Sequence, residues 1–72
     1  MVKTQNIDTE LLDKAIEKSG LKPSFIADKL GISRQAYNRK RQGQVAFRKS
    51  EVYVMCDLLR LSDSEGNQIF FP

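Results

Sequence analysis

The stretch PSFIADKLGISRQAYNRKRQG, residues 23–43 of a 72-residue chain, decides the fold. Pro23 suits the first position of a helix, where its missing N–H would have no partner in any case. Ile26, Ala27 and Leu30 recur at helical spacing and make an inner face. Gly31 stops this helix, because glycine takes a left-handed backbone conformation without steric cost. Ile32 begins a short turn. Ser33 then caps a second helix starting at Arg34, its hydroxyl accepting an orphan backbone N–H. Gly43 ends that helix. Ala27 is small enough for the two helices to pack at a steep angle, and Ile32 and Tyr37 fill the angle between them. The second helix opens with long polar side chains.

The flanks extend the helical pattern. Ile7, Leu11, Leu12, Ala15 and Ile16 repeat at three to four residues, with Asn6 or Asp8 as cap and Gly20 as stop. After a loop from Gln44 to Lys49, Ser50 is expected to cap a fourth helix. Glu51 sits in its first turn, where the helix dipole favours an anion. Val52, Met55, Cys56 and Leu59 share its apolar face. Ser62-Asp63-Ser64-Glu65 fits a capping box, in which Ser62 and Glu65 satisfy each other's backbone donors. It opens a last helix that carries Ile69 and Phe70 inward, with Gly66 near its start as a weakness. Val45-Ala46-Phe47 is too short for a strand. The expected fold is all-α: one domain over residues 1–72, built as a compact bundle of five short helices.

Composition removes many functions. Apolar residues make up 40% and charged residues 29%, ordinary for a globular chain. There is no histidine, and Cys56 is the single cysteine. No internal disulfide, Cys/His zinc site or Ser-His-Asp arrangement can form. No acidic pair sits in an acid–base or metal motif, so the chain reads as a binding protein with no cofactor and no small-molecule ligand. No apolar run approaches the ~20 residues that span a membrane. Met1 to Asn6 has no apolar core, so no secretory leader is expected. A reducing cytoplasm fits best.

The charge is uneven. Lys29, Arg34, Arg39, Lys40, Arg41, Arg48 and Lys49 lie in a stretch from residue 29 to 50 that contains no acid. The remainder holds five basic and nine acidic residues, although the whole chain is only +3. Such a block is either a solvated face or a site for a polyanion, with nucleic acid the commonest case.

Two short helices, a tight turn and a polar start to the second helix are what a helix-turn-helix DNA reader requires. The run from Ala27 to Tyr37, followed by Asn38 to Gly43, resembles the phage repressor/Cro-type (Xre) helix-turn-helix family. Leu21 and the helix at 51–60 also match, so the resemblance covers about residues 8 to 62. The ending Ile69-Phe70-Phe71 is similar to that of short phage-encoded regulators. The resemblance implies sequence-specific binding of double-stranded DNA by a transcriptional regulator, a repressor acting as a homodimer on a palindromic operator.

Residue roles follow. Arg34, Gln35, Asn38 and Arg39 lie together, since 34/38 and 35/39 are four apart. In the family the first, second and sixth residues of this helix face base edges, which are Arg34, Gln35 and Arg39 here. Arginine suits guanine O6/N7 and glutamine suits adenine N6/N7. Arg41, Gln42, Arg48 and Lys49 fall where the family grips the backbone. Pro23 stands where the family has a phosphate-touching glutamine, and Lys22 or Ser24 can substitute. Lys40 replaces an apolar residue; its stem is expected to cover the core while its ammonium reaches outward to phosphate. Ser33 is chiefly a cap whose hydroxyl can also meet a phosphate.

Tyr37 and Cys56 read as core. Phe47 is either core or interface. Ile69, Phe70 and Phe71 either pack onto the first helix or form an exposed patch for dimerisation. An alternative function uses that apolar C-terminus: a protein-interaction module such as an antitoxin or anti-repressor.

Overall fold

A computed structural model describes residues 7–72. Among them are five helices and no strand: α1 (Thr9–Ser19), α2 (Pro23–Leu30), α3 (Arg34–Arg41), α4 (Lys49–Leu58) and α5 (Asp63–Phe70). The all-α expectation holds. Asp8 caps α1, its Oδ1 accepting the Leu11 N–H at 3.1 Å. Asn6, the other candidate cap, lies outside the described residues. Ser33 caps α3 by accepting the Ala36 N–H, and Ser62 and Glu65 form the reciprocal capping box at α5.

The start of α4 differs from expectation. Arg48 is the N-cap and Ser50 lies inside the first turn. The donor left over at this end is the Arg48 N–H, and the Glu51 carboxylate takes it. Ser50 therefore has no capping role.

Each helix contributes one of the fully buried large side chains: Leu12, Ile26, Tyr37, Met55 and Phe70. Helix α2 packs on α3 and α4, while α1 packs on α3 and α5. The Asp8 N–H donates to the Ile69 carbonyl at 2.8 Å, tying the start of α1 to α5. Gly66 suits this packing. A Cβ there would fall 3.0 Å from Cys56 Sγ, so glycine lets α5 approach α4 closely.

The C-terminal aromatics divide. Phe70 is 1% exposed and meets Phe47 edge-on, with ring centroids 5.5 Å apart. Phe47, Ile69 and Phe70 are all core, which removes them from the expected dimer surface; apolar area buried inside one chain is not on offer to another. Phe71 is 63% exposed. One backbone feature had no sequence signal: Arg60 follows α4 with φ 54°, a left-handed position usually held by glycine.

Replacing Phe70 with Ala should remove about 3–5 kcal/mol of stability, as truncating a buried aromatic does. Phe71→Ala should change it by under about 0.5 kcal/mol. Urea unfolding of the two variants checks this, and equal losses would contradict the inside–outside division.

Candidate nucleic-acid interface

Helix α3 has two faces. Tyr37 and Lys40 point into the molecule. Arg34, Gln35 and Arg39 are exposed, and Asn38 is half-buried beside them. The 3.6-residue period sets Gln35 and Arg39 on the side away from Tyr37, whereas Arg34, three residues before Tyr37, is exposed by its place at the start of the helix. The turn before α3 is three residues long, Gly31 to Ser33. Gly31 adopts φ 72°, and the Ile32 N–H closes back onto the Ala27 carbonyl at 3.1 Å. This turn leaves the first residues of α3 at the surface with their side chains unburied.

Lys40 overturns an expectation. Its ammonium does not reach outward: the residue is 8% exposed and Nζ lies 2.6 Å from Glu51 Oε1 on α4. The same oxygen accepts the Arg48 N–H at 2.7 Å. Burial works against the charge on Glu51. The hydrogen bonds from Lys40 and the Arg48 backbone, with the charges of both side chains, outweigh it and hold the carboxyl below its usual value. Lys40 is thus committed to the interior and is not placed to meet a phosphate.

Arg41 is also engaged, but at the surface. It donates to Asp13 Oδ1 on α1 at 2.7 Å, with both side chains partly in solvent. Gln42 is exposed, and its Oε1 accepts from Gln44 Nε2 at 3.0 Å. Lys22 and Ser24 are exposed at the start of α2, as are Ser33 before α3 and Arg48 and Lys49 at the start of α4. Of the seven cations in the acid-free stretch, two are therefore paired with carboxylates that come from outside it. Lys29 lies 5.3 Å from the Phe25 ring centroid, a cation–π distance. Arg34, Arg39, Arg48 and Lys49 are exposed and form no ion pair among the described residues.

Three features escaped the sequence reading. Glu51 joins α3 to α4, and a separation of 11 residues across a loop carries no periodic signal. Asp13 reaches Arg41 across 28 residues. Tyr53 is exposed on α4 and stands outside the apolar pattern. Tyr37 is fully buried, as read, but its hydroxyl has no hydrogen-bond partner among the described residues. Burial is the main cause that raises its pKa.

A concavity of about 970 Å³ runs between α1, the end of α4 and α5. Leu11, Ala15, Leu58 and Leu61 are among its walls, and none of the residues expected to touch DNA lines it. No helix among the described residues is long and apolar enough to cross a membrane. Comparison with protein-family models, with curated proteins and with solved structures returned no match.

The buried pair yields a sharp test. Lys40→Met or Glu51→Gln alone should cost about 3–5 kcal/mol, because each leaves a buried partner without its mate. The double variant should return to within about 1 kcal/mol of the parent, since glutamine still accepts the Arg48 N–H. Additive losses would contradict this coupling. Glu51 and Glu65 both have lowered pKa values. Their stabilising contribution is present above the ordinary carboxylate value and disappears as pH falls through the folded one. Stability should decline below about pH 4.5, and Glu51→Gln should shrink the decline in a pH series of urea melts.

Proposed function

We propose that this chain binds double-stranded DNA sequence-specifically as a transcriptional regulator. The observation that carries the reading is the outer face of α3, where Arg34, Gln35 and Arg39 are exposed behind a three-residue turn while Tyr37 and Lys40 anchor the opposite face. A rigid helix with long donors and acceptors in its first turns suits a major groove. Lys22 at the start of α2 and Arg48 and Lys49 at the start of α4 are exposed cations that suit phosphate contacts, which set register without reading sequence. Such a regulator works in the cytoplasm and needs no cofactor.

The mechanism is steric. A dimer on a two-fold operator, with its two α3 helices one DNA turn apart (~34 Å), blocks the polymerase. One reading helix buries too little DNA to single out an operator, and two multiply the specificity. Phe71 is the residue that remains for the dimer contact. It is exposed beside a shallow recess that it shares with Phe47, Lys49 and Val52. The rival reading, a protein-interaction module, relied on an apolar C-terminus of which Ile69 and Phe70 are now core.

Gln35→Ala should weaken binding to the preferred operator by about 1–3 kcal/mol and leave binding to scrambled duplex unchanged. Titration of both duplexes checks it; equal losses on the two would exclude base readout by Gln35. Phe71→Glu should leave the fold intact and convert a 2:1 protein–operator complex into weaker 1:1 binding. Mass and stoichiometry measured in solution test this, and unchanged dimers would remove Phe71 from the interface.

A further inference from the structure

We infer that Asp13 is an internal counter-ion for Arg41, which a nucleic-acid phosphate must displace, so that an acidic residue on α1 sets the strength and the salt dependence of binding. The inference rests on the DNA reading above. Three observations carry it.

The first is the pair itself. Arg41 Nη1 lies 2.7 Å from Asp13 Oδ1, and no other ion pair reaches out of the exposed surface of α3 among the described residues. The second is exposure. The side chains are 29% and 52% exposed, so the contact sits in solvent rather than in the core. An exposed pair of this kind adds little to folding and separates at little cost. Lys40–Glu51, one residue earlier on α3, is the opposite case: it is buried and structural. The third is placement. Arg41 ends α3, two residues after the exposed Arg39 and one loop before Arg48 and Lys49. Glu10, Asp13 and Glu17 share one exposed face of α1 by their three- and four-residue spacing. Asp13 is the member of this acidic ridge that meets the basic surface.

The consequence is specific. While paired with a carboxylate, an arginine brings no net charge to a phosphate and so releases none of the cations condensed on the DNA. A phosphate arriving at Arg41 has to evict Asp13 and then lie beside its negative charge. Asp13 therefore weakens binding to every sequence alike, since phosphate contacts carry no sequence information. It also places a negative border where α1 meets the DNA-facing surface.

The test uses the full chain, a mixed-sequence 20-base-pair duplex and four proteins: the parent, Asp13→Asn, Arg41→Ala and the double variant. Dissociation constants are measured from low to high salt, and thermal melts confirm that all four fold. Asp13→Asn should bind about two- to fivefold more tightly per subunit, the equivalent of one exposed pair that no longer has to open. Its log–log salt slope should steepen by about 0.9 per subunit, or about eightfold more affinity lost over a tenfold rise in salt. The double variant should fall back to the slope of Arg41→Ala. Weaker binding by Asp13→Asn would overturn the inference and show instead that Asp13 holds Arg41 in place for phosphate, and an unchanged slope would overturn it by showing that Arg41 gains no phosphate contact. A parent that fails to bind the duplex at low salt would overturn the DNA reading itself, and this inference with it.

Discussion

One oxygen of Glu51 receives both the Lys40 ammonium and the Arg48 backbone N–H, and the arrangement of the basic surface depends on it. The first contact ties the C-terminal half of α3 to α4. The second closes the N-terminus of α4, where an unpaired donor would otherwise remain. Between them they fix both ends of the loop at 42–48, so that Arg48 and Lys49 leave the molecule at a defined distance from Arg34 and Arg39. A buried ion pair is a poor source of net stability, because desolvation offsets much of the attraction. Its value here is positional. An apolar pair could fill the same space but would leave the Arg48 N–H without its acceptor.

The same view explains why formal charge overstates the basic block. Seven cations share a stretch without acids, yet the fold brings two acids back to it, Glu51 from α4 and Asp13 from α1. The two differ by burial. Glu51 meets a lysine excluded from solvent, so that charge is spent on structure. Asp13 meets an arginine at the surface, where a competing anion can reach it. What remains for a polyanion is concentrated on the start and outer face of α3 and at the start of α4.

Much of the fold was legible in the residues. Helical periodicity located α1 to α4, and the turn at Gly31 to Ser33, the cap at Ser33 and the capping box at Ser62 and Glu65 appear as read. These signals are local: each depends on residues within four positions of one another. One error is local, at the start of α4, and the others lie where contacts are distant. Ser50 looked like a cap because serine favours that place, but with Glu51 reaching back to Arg48 the helix starts two residues earlier than a Ser50 cap would set it. Lys40 looked like an outward lysine because its burial needs a partner eleven residues away. Gly66 looked like a weakness, and only the approach of Cys56 shows that a Cβ there would be crowded. Phe70 and Phe71 are adjacent and chemically identical, and only the register of α5 against Phe47 separates core from surface. For the candidate site, exposure of Arg34, Gln35 and Arg39 followed from spacing, whereas the engagement of Arg41 by Asp13 did not.

The central claim is that the outer face of α3 reads DNA sequence. Selection of bound sites from a random pool of duplex DNA by the full chain tests it most directly. The account predicts enrichment of one palindrome with half-sites a helical turn apart, and loss of that preference with Gln35→Ala. Binding without enrichment of any sequence, or no retained DNA at low salt, would contradict it.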